Sequence, residues 1–379
     1  MKCLFLALGV YTGVGGIEKF NQRVLRSLAE LADSHGLESR AIVLWDPADR
    51  VACAPRQVRF LPGASRKLAT AVRFLWQAWR TQPDIILYGH LLLSPLASLA
   101  RLLSPRSRHA LIVHGWEVWL EPFRQRAPLW EHLAVRWGID EVISVSRFTA
   151  RRMAQAYRLP ESMFHILPNA VDMDDAAPVP EGPDGKAKRL LTVTRLSGQC
   201  AYKGCDQVIR AMPLILARVP EACYDLVGEG ALRPELERLA ERVGVRERVR
   251  FHGYVDDCQL ERIYEAADLM IMPSTGEGFG IVYLEAWKHG LPVVAGNQDA
   301  SAEVVTNGRD GLCVDPRSVE QIAEAAVNLL TDPQRAAAMG REGYRTVSGA
   351  YTHAHFRGNL RRILRASDAV MPSREAQLT

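Results

Sequence analysis

The cysteines of this chain form none of the arrangements that hold structural zinc or build disulfide frameworks. There are seven in 379 residues, an odd number, and none are spaced as CxxC. Neither a zinc site nor a disulfide-stabilised scaffold is therefore expected. Scattered cysteines are typical of a protein kept in a reducing cytoplasm, which is the location that the sequence predicts.

Long apolar runs are also missing. No stretch approaches the ~18 consecutive apolar residues that span a bilayer. The apolar opening of the chain, residues 1–10, is short and leads into a glycine loop, with no small-residue cleavage site. We therefore expect a first β-strand here and not a signal peptide.

Neither the charge nor the motifs of the chain point to nucleic acid. The formal net charge is only +4, and no recognition helix or basic run with stacking aromatics is present. The charge is uneven, because residues 1–175 carry 22 Lys and Arg against 16 Asp and Glu, which leaves 25 against 27 for the remainder. A basic first half suits an anionic membrane surface or a phosphate-bearing acceptor.

The dinucleotide fingerprint is incomplete. Gly13, Gly15 and Gly16 follow the first predicted strand, but Glu18 stands where a third small residue is required. A dehydrogenase is therefore disfavoured, and the loop is not a Walker loop either. A glycine loop between a strand and a helix still allows the backbone to approach a phosphate, with simple turn chemistry as the alternative.

What the chain does contain is a repeated alternation of apolar strands and amphipathic helices. A length of 379 residues suits two domains, and a stretch rich in proline and glycine at 178–185 predicts the linker. We place a first domain at 1–175 and a second at 186–353. The predicted strands of the first domain include 41–45, 85–88, 110–113 and 141–145, which is the pattern of a doubly wound parallel sheet. In the second, residues 302–305 and 307–314 are expected to complete the sheet.

The stretch from Glu277 to Glu285 has the strongest functional signal. With the apolar run 268–273 before it, this stretch predicts a strand, a glycine turn and a helix. The backbone N–H groups of Phe279, Gly280 and Ile281 lie at the helix start, where an anion can bind. Glu285 lies eight residues after Glu277, about two helical turns, so both carboxylates can share one face. The alternative is a pair of solvated glutamates beside a structural turn.

Two cations bracket another strand-to-helix loop. Arg195 follows the first strand of the second domain and Lys203 precedes its first helix, so together they can neutralise a diphosphate. His114 stands at a strand exit, where a ligand contact and a purely structural hydrogen bond are equally reasonable. The acidic pair Asp172 and Asp174 looks like a metal-binding Asp-x-Asp, but it lies beside the predicted linker and needs no ligand.

The helix predicted at 67–80 carries an apolar face of Leu68, Val72, Leu75, Trp76 and Trp79 among arginines and a lysine. Such a helix can lie in a membrane interface. Packing against its own sheet is an alternative at least as good. The same two interpretations apply to residues 101–108.

Glu277 within Pro-Ser-x-x-Glu-Gly-Phe-Gly, residues 273–280, followed after seven residues by Glu285, resembles the signature of retaining glycosyltransferases of family 4. The resemblance implies a GT-B fold, in which two Rossmann-like doubly wound domains face a central cleft and a terminal helix, here 354–366, returns to the first domain. It also implies a nucleotide-sugar donor. Because the sequence contains no convincing metal site, we expect no metal ion and no cofactor.

The resemblance assigns roles residue by residue. The catalytic set it implies is His114 on the acceptor side, Glu277 on the donor sugar, and Arg195 and Lys203 on the diphosphate. The donor-binding set it implies is Gly15, Gly16, Gly228, Val255 near the base, Gly278, Phe279, Gly280, Ile281, and Glu285 on the ribose.

The Trp-Glu-x-Trp extension at 116–119 resembles that of exopolysaccharide mannosyltransferases. It suggests mannose from GDP-mannose, passed to a glycan or a lipid-linked oligosaccharide, by a cytoplasmic enzyme that can contact the inner face of the membrane. A UDP-sugar transferase, a sugar-nucleotide epimerase and a non-catalytic nucleotide-sugar binder are the alternatives.

Overall fold

The computed structural model describes residues 1–13, 15–119, 127–173 and 188–365. They form two compact units, one made of Met1–Asn169 with the chain from His353 onward, and one made of Ala170–Thr352. Residues just after Asn169 group with the second unit because Val171 N–H donates to the Tyr351 carbonyl at 2.9 Å. The predicted linker at 178–185 and Asp174 lie outside the described residues.

The first unit is built on a seven-stranded sheet in which every neighbouring pair is parallel. Its strands are β1 (Lys2–Ala7), β2 (Glu38–Val43), β3 (Val58–Pro62), β4 (Ile85–Tyr88), β5 (Arg108–Val113), β6 (Glu141–Ser144) and β7 (Phe164–Ile166). The spatial order is β3-β2-β1-β4-β5-β6-β7. All four side chains of β4 are buried, as expected for a central strand covered on both faces.

Helices connect these strands and cover the sheet. They are α1 (Gly16–His35), α2 (Lys67–Thr81), α3 (Ser94–Leu103), α4 (Leu129–Gly138) and α5 (Arg147–Tyr157). Ser146 caps α5, as its hydroxyl accepts from the Thr149 N–H at 3.1 Å.

The second unit repeats the design with six parallel strands. They are β8 (Arg189–Val193), β9 (Cys223–Val227), β10 (Val249–Gly253), β11 (Leu269–Met272), β12 (Val293–Gly296) and β13 (Gly311–Val314), in the order β10-β9-β8-β11-β12-β13. Its helices are α6 (Cys205–Leu216), α7 (Arg233–Arg242), α8 (Asp257–Glu265), α9 (Ile281–Lys288), α10 (Ser301–Val304), α11 (Val319–Thr331) and α12 (Pro333–Ala350).

One predicted strand is wrong. Residues 302–305, expected in the sheet, belong mostly to the short helix α10, and the sheet is completed by β13 alone. Two neighbouring valines favour a strand locally, but the preceding Asp299 accepts from the Ser301 N–H at 2.9 Å and helps to begin a helical turn.

The last helix, α13 (His353–Arg365), returns to the first unit. It packs against α1, where Arg357 donates to Glu30 at 2.6 Å and the rings of Phe356 and Phe20 meet edge to face with centroids 5.1 Å apart. Within the described residues, no helix is both long and apolar enough to cross a bilayer.

Each sheet has one point at which the strand order reverses. In the first unit it lies between β1 and β4, and in the second between β8 and β11. Loops that leave such neighbouring strands in opposite directions open a crevice at the carboxyl edge of the sheet, where ligands of doubly wound folds bind. The two reversal points are therefore the candidate ligand sites of the two sheets.

Candidate functional site

The loop after β11 carries Glu277 to the reversal point of the second sheet. Glu277 is 8% exposed, and one of its carboxylate oxygens accepts a hydrogen bond from the Lys203 ammonium. Lys203 comes from the loop after β8, so the two strands on either side of the reversal supply the two charges. The predicted pair of functional groups thus meets in the folded chain.

The segment Gly198–Lys203 reaches this position as a 3₁₀ helix that docks on the Glu277 loop. The Tyr202 carbonyl accepts from the Thr275 N–H at 2.9 Å, and the Lys203 ammonium lies 5.1 Å from the centre of the Tyr202 ring. Gly204 follows with φ 76°, and a Cβ there would come within 2.3 Å of the Pro273 carbonyl oxygen. Only glycine allows the two loops to approach this closely.

The turn after Glu277 ends at Gly280, which precedes α9 with φ 89°. The first N–H groups of α9 lie at the carboxyl edge of the sheet, at the positive end of the helix dipole. Among the described side chains, none caps them. Phe279 is buried and packs edge to face against Tyr351, which anchors the turn between Gly278 and the helix. The arrangement suits an anion bound by backbone groups.

The expectation that Glu277 and Glu285 share a helical face is wrong. The helix begins only at Ile281, because the left-handed Gly280 separates it from the loop that carries Glu277. Glu285 instead lies inside α9, where its carboxylate accepts from the Tyr264 hydroxyl at 3.2 Å. Burial, followed by the charge of Glu285, raises the pKa of Tyr264 well above its usual value, so this hydroxyl stays a donor.

Asp299, which the sequence did not single out, holds the backbone of Glu277. One Asp299 oxygen accepts from the Glu277 N–H at 2.7 Å, the other accepts from the Ser301 N–H at 2.9 Å, and the Ala300 N–H donates to the Glu277 carbonyl at 3.1 Å. Burial raises the pKa of Asp299 to about 6, although hydrogen bonds from Ser301 and Ser274 oppose that rise. The Asp299 carboxylate thus fixes the Glu277 loop.

The other predicted residues of the second unit lie at the same edge of the sheet. Arg195 is exposed two residues after β8, Val255 is half-buried two residues after β10, and Gly228 directly follows β9. Gly228 has φ 132°, and a Cβ there would lie 1.7 Å from the Thr194 carbonyl oxygen. Close packing between the loops after β8 and β9 is therefore reason enough for this glycine.

The first unit presents a second cluster at its own reversal point. Asp46 accepts from the N–H groups of Val10 and Tyr11 at 3.1 and 2.8 Å, and from the Thr12 hydroxyl at 2.7 Å. These bonds fix the beginning of the glycine loop. Gly15 then precedes α1, which starts at Gly16, again with no side-chain cap from the described residues.

His114 follows β5 near this loop. Its ring Nε2 lies 3.1 Å from the Gly89 carbonyl, and the ring stands edge-on to Phe20 with centroids 5.1 Å apart. Its backbone N–H donates to the Glu117 carboxylate. Burial lowers the pKa of His114, and the neighbouring charge of His90 lowers it further, while Glu117 raises it. A neutral ring that donates from Nε2 to a carbonyl keeps Nδ1 as an acceptor.

Sequence reasoning missed the supporting residues Asp46, His90, Tyr264 and Asp299. Asp46, Tyr264 and Asp299 each form a hydrogen bond to a residue more than 20 positions away along the chain, whereas His90 acts on His114 through its charge. The one signal in the sequence was a position shortly after a predicted strand, since His90 lies two residues after β4 and Asp46 three residues after β2. Among the described side chains, no three His, Cys, Asp or Glu residues are grouped to hold a metal ion.

Comparison with known proteins covers both units. The family described as Glycosyltransferase Family 4 matches residues 14–175, and the family described as Glycosyl transferases group 1 matches residues 187–332. The GDP-mannose-dependent alpha-(1-6)-phosphatidylinositol monomannoside mannosyltransferase of Mycobacterium tuberculosis is 36% identical over 291 residues, which cover 73% of this chain and 74% of that protein. The GDP-mannose-dependent monoacylated alpha-(1-6)-phosphatidylinositol monomannoside mannosyltransferase of Corynebacterium glutamicum is 35% identical over 219 residues, which cover 54% of this chain and 56% of that protein.

Solved structures show the same fold at low identity. Anabaena HepE in complex with UDP and glucose matches with a TM-score of 0.76 and 19% identity, covering 97% of this chain and all of that one. The apo form of the lipopolysaccharide outer core galactosyltransferase WaaB matches with a TM-score of 0.74 and 16% identity, covering 97% and 99%. The resemblance drawn from the Glu277 signature is confirmed, and the chain belongs to the family 4 glycosyltransferases with the GT-B fold.

Proposed function

We propose that this glycosyltransferase moves mannose from GDP-mannose to a glycan or lipid-linked oligosaccharide in polysaccharide biosynthesis, with retention of the anomeric configuration. The observation that carries the proposal is the meeting of Lys203 and Glu277 beside the uncapped start of α9. It combines a cation and backbone N–H groups for a diphosphate with a carboxylate for sugar hydroxyls. The names of the mycobacterial and corynebacterial relatives support GDP-mannose as the donor.

In the proposed reaction the bond between the anomeric carbon and the diphosphate oxygen breaks, and a bond from the acceptor oxygen to the same carbon forms. Negative charge develops on the departing diphosphate, where Arg195, Lys203 and the first N–H groups of α9 stabilise it. The acceptor proton passes to a diphosphate oxygen as the acceptor attacks the face from which the diphosphate departs. Glu277 holds the sugar hydroxyls and Glu285 the ribose, so the ring is oriented for attack.

The glycine loop and His114 serve the acceptor side of this proposal. Gly15 and Gly16 allow close backbone approach to a phosphate or acceptor hydroxyl. His114, neutral because of burial, offers Nδ1 as a hydrogen-bond acceptor. Gly228, Val255, Gly278 and Phe279 keep the donor-binding roles that the resemblance assigns.

We further propose that the reaction needs no metal ion and no other cofactor. Lys203 and Arg195 supply positive charge at the same edge of the sheet, which can replace the charge of a divalent cation on a diphosphate. The proposed location is the cytoplasm, with peripheral contact to the inner face of the membrane, where a lipid-linked acceptor is available.

A UDP-sugar is the second candidate donor. The structural neighbour from Anabaena is a complex with UDP and glucose, although at 19% identity it shows the fold alone. The loop after β10, which carries Val255, would face the base in either case. An assay with both donors decides between them.

The test is a transfer assay with GDP-mannose and UDP-glucose, with and without EDTA, in which the anomeric configuration of the product is read by NMR. We expect transfer from GDP-mannose that survives EDTA and gives a retained product. Glu277→Ala should abolish transfer and shift the melting temperature by no more than a few degrees. The matched control is Glu324→Ala, which removes a glutamate paired with Arg218 at 2.6 Å on the surface of the same unit and should leave turnover unchanged. Normal turnover by Glu277→Ala would refute the assignment.

A further inference from the structure

The outer side of three helices of the first unit exposes an unusual amount of apolar surface. On α2, α3 and α4 the exposed fractions of Leu68, Leu102 and Trp137 are 80%, 75% and 74%. Four of the eight tryptophans of the chain lie here as well, and all are at least 49% exposed. We call this surface the tryptophan face, and its main members are Leu68, Trp76, Trp79, Leu102, Trp130 and Trp137.

The three helices form one layer. The connections β3-α2-β4, β4-α3-β5 and β5-α4-β6 all advance in the same direction along the sheet, so right-handed crossovers place the helices on the same side. α3 lies between the other two and packs against both. Gly138 of α4 approaches the Ser98 backbone of α3 so closely that a Cβ would lie 2.9 Å from its nitrogen, and Gln82 after α2 donates to the Leu103 carbonyl at 2.9 Å.

The apolar residues of α2 face outward although the helix buries polar side chains against the sheet. α2 buries Thr70, Phe74, Gln77 and Ala78 against the sheet, and Gln77 accepts from Arg40 at 3.0 Å. The helix therefore places two polar side chains inside while Trp76 and Trp79 face outward. A large exposed apolar patch of this kind marks a surface that meets another phase or molecule.

The charges around the face identify its partner. No Asp or Glu occurs at 63–83 or at 85–116, and the one acidic residue of α4, Glu131, is buried. Exposed basic residues flank the apolar ones, namely Arg66, Lys67, Arg80, Arg106 and Arg136. Arg80 lies over the Trp76 ring at 5.8 Å, so part of this basic charge is held directly on the face.

We propose that the tryptophan face docks on an anionic phospholipid bilayer. Tryptophans place their rings at the headgroup level of a membrane, leucines enter the outer acyl region, and arginines and lysines meet the lipid phosphates. Each basic residue near such a surface adds to the attraction. The inference deepens the proposed function, on which it rests for a reason to bring the acceptor-side unit to a membrane, but the surface itself needs no donor to be tested.

The experiment measures tryptophan quenching by vesicles that contain brominated phosphatidylglycerol, with vesicles of brominated phosphatidylcholine alone as the neutral comparison. We expect quenching and co-sedimentation with the anionic vesicles that are lost at high salt. The combined change Trp76→Ser, Trp79→Ser, Trp130→Ser and Trp137→Ser should abolish co-sedimentation, whereas Leu214→Ser, an exposed apolar residue of the second unit, should not. Equal binding by the variant and the wild type would overturn the proposal.

A second variant covers the case in which the fourfold change does not fold. Arg66→Glu with Lys67→Glu reverses two charges at the start of α2, where acidic residues favour a helix. It should lower the vesicle partition coefficient about tenfold or more, since attraction becomes repulsion at two positions. The matched control, Arg238→Glu with Arg242→Glu on exposed positions of α7, should lower it far less. An equal loss in both variants would show that the attraction is nonspecific and would refute docking through the tryptophan face.

Three outcomes separate this inference from its rivals and from the proposed function. A concentration-dependent dimer that the tryptophan changes dissociate, without any vesicle binding, would assign the face to a second copy of the chain and overturn the membrane proposal. Transfer to a water-soluble acceptor with no vesicle binding would also overturn it while leaving the proposed function intact. Vesicle binding without any transfer would instead support the membrane proposal and overturn the proposed function.

Discussion

Replacing Asp299 by asparagine tests how the Glu277 loop is held in place. The Asp299 carboxylate accepts from two backbone N–H groups, those of Glu277 at 2.7 Å and Ser301 at 2.9 Å. Asparagine has the same shape but only one acceptor oxygen, so its NH₂ group must face one of these N–H donors. The loop that carries Glu277 then loses a bond or moves away from it.

The two effects on stability oppose each other at neutral pH. A hydrogen bond to a charged group contributes ~1.5–3 kcal/mol, and Asp299→Asn loses about one of them. In the wild type, however, burial destabilises the ionised Asp299 carboxylate. The rise of its pKa to about 6 corresponds to a free-energy cost of ~2–3 kcal/mol. We therefore expect the unfolding free energies at pH 7.5 to agree within ~1–2 kcal/mol. Activity should fall ~10²-fold, because a displacement of about 1 Å at a reacting group has an effect of that size.

The pH dependence distinguishes the carboxylate from the amide. Folding raises the pKa of Asp299, so between about pH 4 and pH 6 the folded protein keeps a proton that the unfolded chain releases. The stability that protonated Asp299 contributes is complete below this range and is lost as the pH rises through 6. Activity should change in the opposite direction, because only the ionised carboxylate accepts both N–H bonds.

The assay is kcat/KM against pH together with urea unfolding at each pH. Wild-type kcat/KM should show an acidic limb near pH 6 that Asp299→Asn lacks, and the stability loss between pH 4 and 6 should be smaller in the variant. Asp332→Asn is the control, because Asp332 accepts from the Arg335 N–H at 3.0 Å at the exposed start of α12, far along the chain from the site. Wild-type activity in Asp299→Asn, with the same acidic limb, would refute the reasoning.

Other residues allow shorter tests. Tyr264→Phe removes the hydroxyl that donates to Glu285 at 3.2 Å. The KM for the donor should therefore rise several-fold with little change in kcat, and an unchanged KM would show that Tyr264 does not support donor binding. Gly228→Ala should destabilise the protein by more than ~3 kcal/mol in urea unfolding, because its Cβ would lie 1.7 Å from the Thr194 carbonyl oxygen at a φ of 132°. Gly358→Ala, in open space on α13, should instead stabilise it by ~0.5–1 kcal/mol, and similar effects from the two changes would contradict the packing described here.

The sequence predicts the framework well because parallel strands buried on both faces read as continuous apolar runs. The strand predicted at 85–88 coincides with β4, and the glycine turn at Gly280 does separate a buried strand from a helix. Most of the predicted donor-site residues of the second unit lie in loops that follow strands, and a parallel sheet brings these loops to one edge, whereas Glu285 lies inside α9. That is why the sequence alone could group Lys203 with Glu277, although 74 residues separate them.

The contacts that support the site could not be predicted in the same way. Asp299 acts through the Glu277 backbone, and Tyr264 acts through a hydroxyl that reaches Glu285 from another helix. Neither bond leaves a periodic pattern or a motif. Amphipathicity likewise identifies the apolar face of α2 but not the direction in which it points. The structure resolves this, because Phe74 packs inward while Trp76 and Trp79 are exposed.

The most direct test of the donor site is the thermal stabilisation of the protein by GDP, UDP, ADP and their sugar conjugates, with and without EDTA. We predict a shift of several degrees with GDP-mannose at ~100 times its Kd, unaffected by EDTA. The shift should be lost in Lys203→Gln and Glu277→Gln, each of which removes one partner of the ion pair at the reversal point. A full shift in both variants, or no shift with any nucleotide sugar, would contradict the assignment of this pair to the donor.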